Sequence, residues 1–353
     1  MSTAGPTRAA ARSDARREHG AFTESSPLHV HVENARGMMP VFQVREDQYH
    51  PALERHPDVA RRIRTTFGYD QENWKENAHT AHAIVSYRFP KESLATDAPN
   101  LELLQILGAG VDYLLPLDWL PPGVQMLTNS GVHVPKAAQS GLMALLMLNA
   151  RMPELAWSHR AKKWNRVFTD TLAGKTVLIV GVGAIGAGIA EHAKRFGMTV
   201  LGIRRSGGPQ PNVDEMHTPD ALHSLLPCAD FVLLNLALTP ETKFIIGGEA
   251  LARMKKGAAL VNMSRGGLVD PAALDAALRS GHLSGAMIDV TYPEPPPADW
   301  PYWDTPNLMI TPHVLSDDID AYVPRTLDLF FSNLRRYFAG ESLTNLVDLA
   351  RQY

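Results

Sequence analysis

The residues able to do chemistry lie in the second half of the chain. They are Arg265, Asp289, Glu294 and His313, downstream of three glycines, Gly181, Gly183 and Gly186. A guanidinium grips a carboxylate with a planar fork, and an imidazole trades a proton near neutral pH. The glycines are spaced G-x-G-x-x-G, after the apolar run Val177–Val180 and before Ala184, Ile185, Ile189, Ala190, Ala193 and Phe196 at helical spacing. In a strand–turn–helix setting Gly181 permits a tight turn, Gly183 lets a pyrophosphate approach the backbone, and Gly186 lets the helix pack closely on the strand. The N–H groups of the first helical turn, around Ala184 and Ile185, then face the phosphates. The pattern predicts a dinucleotide site; a glycine-rich packing turn is the plainer alternative.

Each reactive residue has a plain reading when taken singly. Arg265 would be a surface cation, Asp289 a helix cap and Glu294 a solvated loop acid. His313 is one of 14 histidines. Yet all four fall at or just past the ends of predicted strands, the edge where an open parallel sheet collects its ligands. Four such residues on the edge that carries a dinucleotide turn weaken the separate readings together.

The elements that must position them alternate strand and helix, which predicts an α/β fold with parallel sheets. Before the glycine turn, Leu28–Val32, Met39–Val44, Ala83–Tyr87 and Leu103–Leu107 read as strands, and Asp58–Thr65 and Ala98–Leu107 as helical or mixed patterns. Val134–Met152 reads as one long apolar helix, a core or subunit-interface element, with Trp157 and Trp164 in an arm beyond it. After the turn come strands at Thr199–Ile203, Phe231–Leu236, Ala258–Met263, Ala286–Val290 and Leu308–Thr311. Thr218 and Asp270, each followed by proline, read as helix caps, and Asp320–Gly340 as a last helix. No internal repeat is found.

Composition narrows the class. The chain has 353 residues, 45% apolar and 20% charged, with a net charge of −3. That suits two globular domains and gives no reason to expect nucleic acid or an anionic membrane as partner. No apolar run is long enough to cross a bilayer. The single cysteine, Cys228, fits a reducing, cytoplasmic setting and reads as a small core thiol. Residues 1–26, rich in Ala, Arg and Ser, read as a solvated tail. No metal is expected.

Several further motifs share one family order. Gly108-Ala-Gly-Val-Asp112, the Gly181–Gly186 turn, Leu238-Thr-Pro-Glu-Thr242, Val261–Asp270, Asp289-Val290 with Glu294-Pro-Pro296, and Thr311-Pro-His313 run along the chain in that order. Together they resemble the D-isomer-specific 2-hydroxyacid dehydrogenases, in particular the NADP-type glyoxylate and hydroxypyruvate reductases. The resemblance implies two Rossmann-like domains, each a doubly wound parallel sheet, with a cleft between them. It implies a discontinuous substrate domain at 27–134 plus 315–353, a dinucleotide domain at 135–314, and a homodimer. It gives His313 the proton transfer, Glu294 the pairing of that histidine, and Arg265 the substrate carboxylate. Backbone around Ala109 and Gly110 would hold the other carboxylate oxygen, and Asp289 would orient the nicotinamide carboxamide. Leu236, Thr242 and Met263 fall in the matching cofactor loops. Tyr87 and Arg88 are candidate substrate contacts in the first domain; a packing tyrosine beside a surface arginine is the equal alternative.

One departure bears on the cofactor. NAD-specific members carry an acid after the second strand of the dinucleotide domain, where this chain has Arg204-Arg205-Ser206. Two guanidiniums and a hydroxyl suit a 2′-phosphate, so NADP(H) is expected to be preferred, with NAD(H) possible. Ala237 and Gln139 replace a proline and a glutamate common in the family, away from the proton and hydride path. The expected reaction is reduction of a small 2-oxo acid such as glyoxylate or hydroxypyruvate. The alternatives are a dehydrogenase of a larger or aromatic 2-hydroxy acid, and a dinucleotide-sensing protein like the family's corepressors. A formate enzyme would carry glutamine where Glu294 stands.

Overall fold

The computed structural model describes residues 22–349. The chain forms two compact units, Met1–Val132 with Ile319–Tyr353, and His133–Asp318. Of the segment read as a tail, residues 1–21 lie outside the described residues. Phe22 is a core residue, 1% exposed and packed on the rings of His82, Tyr337 and Phe338.

The first unit holds a five-stranded sheet, β1 (Leu28–Asn34), β2 (Ile63–Tyr69), β3 (Ala83–Ser86), β4 (Leu103–Ile106) and β5 (Gln125–Leu127), in the order β2-β1-β3-β4-β5. Every pairing is parallel. β1 is buried on both faces although its sequence alternates apolar and polar. Leu28, Val30 and Val32 pack with Phe330, Phe331 and Leu334 of the closing helix, Tyr322–Phe338. Burial of each such side chain contributes about 1.5–3 kcal/mol. The polar face is satisfied instead of solvated. His29 Nε2 and His31 Nδ1 share the Thr66 hydroxyl at 2.8 and 2.9 Å, and Glu33 takes the Gln71 amide and His31 Nε2 at 2.8 and 3.0 Å.

One strand expectation needs correction here. Met39–Val44 is no strand but a 3-10 turn at Pro40–Phe42. The buried Asn34 side chain bonds both the N–H and the carbonyl of Val44, at 2.8 and 3.0 Å, and replaces a ladder partner. The Asp58–Thr65 pattern holds a short helix, Pro57–Ala60, and then the start of β2. β5 was not expected; it is short and offers little pattern to read.

The second unit holds seven parallel strands: β6 (Thr176–Val180), β7 (Thr199–Ile203), β8 (Glu215–His217), β9 (Phe231–Leu234), β10 (Ala259–Asn262), β11 (Gly285–Ile288) and β12 (Leu308–Ile310). Their order, β12-β11-β10-β9-β6-β7-β8, is doubly wound, with the chain reversing direction across the sheet between β6 and β9. Alternate residues of one strand enter opposite cores. Leu178, Val180 and Leu260 pack on one face, and Val177, Ile179 and Val261 on the other. Burial on both sides is why these strands read as unbroken apolar runs.

The long apolar helix ends at Asn149. Arg151, left-handed at φ +56, turns the chain into a second helix, Met152–Arg160. Asp270 caps its helix as expected, its carboxylate accepting the Ala272 and Ala273 amides at 2.9 and 3.2 Å. Thr218 does not: its hydroxyl donates to the Asp220 carboxylate and leaves the helix start uncapped by a side chain. Cys228 is exposed, contrary to the core thiol expected, because it lies in the 3-10 turn that precedes β9. Among the described residues no helix is long and apolar enough to cross a membrane, and no group of acidic, His or Cys residues could hold a metal.

Candidate functional site

The glycine turn follows β6 at the reversal point of the seven-stranded sheet. Gly181 adopts φ +99, and a Cβ there would stand 2.2 Å from the Asn235 carbonyl oxygen. No other residue type fits. A Cβ on Gly186 would meet the Gly181 oxygen at 2.7 Å, so the helix Ala184–Arg195 is seated hard on the turn. Gly183 differs: a Cβ there meets nothing within 4 Å. As the residue at the helix start it offers no side-chain acceptor to the first-turn amides of Ala184 and Ile185. Two crowded glycines and one open one fit a turn that admits a phosphate to the backbone.

The neighbouring loops close around that turn. Ser264 donates its hydroxyl to the Leu236 carbonyl. Thr242 donates to the Ala237 carbonyl at 2.8 Å and accepts the Thr239 amide at 2.7 Å, which ties its loop shut. Met263 is buried at the end of β10. Past β7, Arg204 is half-buried, its guanidinium on the Pro209 carbonyl at 2.8 Å and the Gln210 side chain at 3.3 Å. Arg205 and Ser206 are exposed. The charge of Arg205 acts on Glu241, whose carboxyl lies below its ordinary value mainly because it accepts a hydrogen bond from Thr239.

Arg265, Glu294 and His313 come together on the ends of three consecutive strands, β10, β11 and β12. Asn262 shapes the first of these loops. Its side chain, 1% exposed, donates to the Arg265 carbonyl at 2.9 Å and accepts the Ser264 amide at 3.2 Å. Glu294 accepts the Thr291 amide at 3.3 Å through Oε2 and faces His313 Nδ1 through Oε1 at 2.6 Å. Both side chains are partly exposed. Hydrogen bonding to Glu294 raises the His313 pKa above the ordinary histidine value; burial and the Arg265 charge oppose the rise. Burial pushes Glu294 up, but His313, the Thr291 amide and Arg265 outweigh it, and its carboxyl ends below the ordinary value. The Arg265 charge therefore reaches both members of the pair.

Asp289 works from below. It is 1% exposed, and its carboxylate accepts the Thr311 hydroxyl at 2.6 Å and the amides of Val314 and Leu315 at 3.0 Å each. Its own carbonyl takes the His313 amide at 2.7 Å. His313 is left-handed at φ +54, a conformation costing an L-residue about 1–2 kcal/mol. The four bonds to Asp289 hold it there. Burial raises the Asp289 pKa, partly offset by those same donors.

In the first unit Ala109 and Gly110 follow β4. The loop is held by Tyr322, which donates to the Leu107 carbonyl at 2.6 Å, and by the Asn129 amide on the Gly108 carbonyl at 2.8 Å. Tyr87 is half-buried between the rings of Phe42 and Tyr113, and Arg88 is exposed. The sequence singled out neither Asn262 and Thr311, which position the reactive loops, nor Phe42, Tyr113 and Tyr322. A buried asparagine beside a reactive arginine is a signal that could have been used.

Known proteins agree with this architecture. Residues 142–314 match the model of the D-isomer specific 2-hydroxyacid dehydrogenase NAD binding domain. The chain is 32% identical to a glyoxylate reductase of Korarchaeum cryptofilum over 79% of its own length and 90% of that protein's. It is 31% identical to a mitochondrial formate dehydrogenase of Solanum tuberosum, over 74% of this chain and 71% of that one. A D-isomer specific 2-hydroxyacid dehydrogenase from Xanthobacter autotrophicus Py2, crystallised with NADPH and MES, superimposes with a TM-score of 0.77 at 30% identity. That match covers 94% of this chain and all (100%) of that one. The chain belongs to the D-isomer specific 2-hydroxyacid dehydrogenase family of NAD(P)-dependent oxidoreductases.

Proposed function

We propose that the chain is an NADPH-dependent reductase of 2-oxo acids to D-2-hydroxy acids, with glyoxylate and hydroxypyruvate as its small substrates. The observation that carries the reading is the 2.6 Å contact of His313 Nδ1 with Glu294 Oε1, under the charge of Arg265. Glu294 takes the Nδ1 side of the ring, which leaves Nε2 to hold the proton destined for the C2 oxygen. Arg265 grips the substrate carboxylate with its fork, and its charge polarises the 2-oxo carbonyl. Asp289 contributes by holding the His313 loop, ahead of the carboxamide contact that the resemblance implies. NADPH, when bound on the glycine turn, supplies the hydride.

The cofactor preference rests on Arg204 and Arg205, standing where an acid would bind ribose hydroxyls. The Xanthobacter relative crystallised with NADPH supports it. Glu294 favours 2-oxo acid chemistry over the formate oxidation of the Solanum relative. We also infer a homodimer. Met143 and Leu146 on the long helix are 37% and 39% exposed, and Trp164 and Phe168 on the arm beyond it 89% and 90%, apolar surface that a second copy would cover. Sedimentation of the purified protein reads this directly.

The test is NADPH and NADH oxidation with glyoxylate, hydroxypyruvate, pyruvate and phenylpyruvate. Turnover with a higher kcat/KM for NADPH is expected. Tight cofactor binding with no oxidation by any acid would leave a dinucleotide sensor instead.

A further inference from the structure

Three loops at the carboxyl edge of the seven-stranded sheet meet around one lysine. The loop of residues 239–246 follows β9, the turn carrying Arg265 follows β10, and the strap carrying Glu294 follows β11, three neighbouring strands. Two backbone bonds stitch the first loop to the second: Phe244 donates to the Gly267 carbonyl at 2.7 Å and Ile246 to the Leu268 carbonyl at 3.0 Å. The strap folds on itself, the Thr291 hydroxyl donating to the Pro293 carbonyl at 2.8 Å and the Thr291 amide to Glu294 Oε2 at 3.3 Å. A Cβ on Gly267 would meet Leu238 at 3.0 Å and Tyr292 at 3.7 Å, so the turn has loop on one side and strap on the other.

Phe244 and Tyr292 meet at this junction. Their ring centroids are 5.4 Å apart at 86°, edge to face. Phe244 reaches this place from a left-handed backbone, φ +52, which a bulky residue rarely adopts. Backbone of that kind persists where the structure around it requires it. The ammonium of Lys243 lies 5.4 Å from both centroids, within the range at which a ring face attracts a cation.

From this junction we propose that Lys243 is a positioning residue: seated on Phe244 and Tyr292, it ties the loop after β9 to the Glu294 strap and so holds Glu294 Oε1 against His313 Nδ1. The inference rests on the reductase reading of that pair and deepens it. Tyr292 stands two residues before Glu294, on a strap that the Thr291 bonds keep short. The groups acting on His313 are Glu294, whose hydrogen bond raises its proton affinity, and the charges of Arg265 and Asp289. A lysine acting on His313 by charge would lower that affinity, so its removal would raise it. Loss of a tie has the opposite sign: Glu294 is freed to leave, and the affinity falls.

The experiment follows the titration of the His313 ring by NMR of the histidine-labelled full chain, with His313→Asn identifying the signal, in wild type, Lys243→Met and Lys243→Arg. Methionine keeps an unbranched apolar stem, and arginine keeps a cation for the two rings. The midpoint should fall by about half a pH unit in Lys243→Met, the size expected from one cation on exposed ring faces, and hold in Lys243→Arg. NADPH binding, read by fluorescence, should hold in both. A midpoint that stays or rises in Lys243→Met overturns the tie, as does an equal fall in Lys243→Arg. Weaker NADPH binding with an unmoved midpoint overturns it too and makes Lys243 a cofactor contact. The titration needs no turnover, so a chain inert toward every 2-oxo acid strikes the reductase reading, and the midpoint still decides the tie.

Discussion

A Cβ placed on Gly266 would stand 1.9 Å from the carbonyl oxygen of Thr291. The turn that carries Arg265 is therefore seated on the backbone that opens the Glu294 loop, with room for a hydrogen and nothing larger. Backbone cannot rotate away as a side chain can. In Gly266→Ala the two loops must part, which moves a guanidinium and a carboxylate that act on one histidine. Stability should fall by about 1–3 kcal/mol, as for other overpacked sites. kcat/KM should fall by about a hundredfold, since misplacement of this order disrupts near-attack geometry. Thermal melting and steady-state kinetics read the two effects separately.

Glu294 raises the affinity of His313 for its proton. Reduction requires that proton, so wild-type kcat/KM should hold as pH rises past the ordinary histidine value of 6.5 and fall at the raised one. Glu294→Gln removes the negative charge. The basic limb of the profile should then move to lower pH. An unmoved limb would show that some other group sets it.

Arg205 is exposed, whereas Arg204 is held by Pro209 and Gln210. Its place at the surface makes Arg205 the residue on which to test a phosphate contact. Arg205→Ser should raise KM for NADPH by about tenfold or more, the loss of one charged hydrogen bond, with KM for NADH little changed. Equal shifts for both cofactors would contradict a 2′-phosphate contact.

His29 lies buried in the first unit, and burial, aided by the Arg64 charge, lowers its pKa from 6.5 to about 4. Between those values the unfolded chain binds the proton and the folded one does not. Stability contributed by neutral His29 is full above pH 6.5 and is lost as pH falls toward 4, with a slope of up to about 1.4 kcal/mol per pH unit. Denaturant unfolding followed from pH 7 to pH 4 should show that slope diminished in His29→Gln.

Much of the second unit was legible in the sequence because strands buried on both faces leave continuous apolar runs, as at Val177–Val180 and Ala259–Asn262. The glycine turn was legible because backbone crowding at Gly181 and Gly186 admits one residue type. The first unit was harder. β2 carries a mixed burial pattern beside a short helix, and Pro40–Phe42 looks like a strand until the Asn34 side chain is seen doing the work of a ladder. That misreading hid Phe42, which stacks on Tyr87. Asn262, which bonds the backbone of the Arg265 loop, and Thr311, which donates to the Asp289 carboxylate, hold reactive residues in place, and neither residue type announces chemistry of its own.

The central claim is that His313 delivers the proton. Single-turnover NADPH oxidation by glyoxylate in His313→Asn, at a pH where wild-type His313 is protonated, tests it most directly. Cofactor binding, read by NADPH fluorescence, should persist while the rate falls by about 10²–10⁴-fold, the usual contribution of a positioned general acid. A rate within about threefold of wild type would contradict the account, since that is far below what loss of a general acid costs.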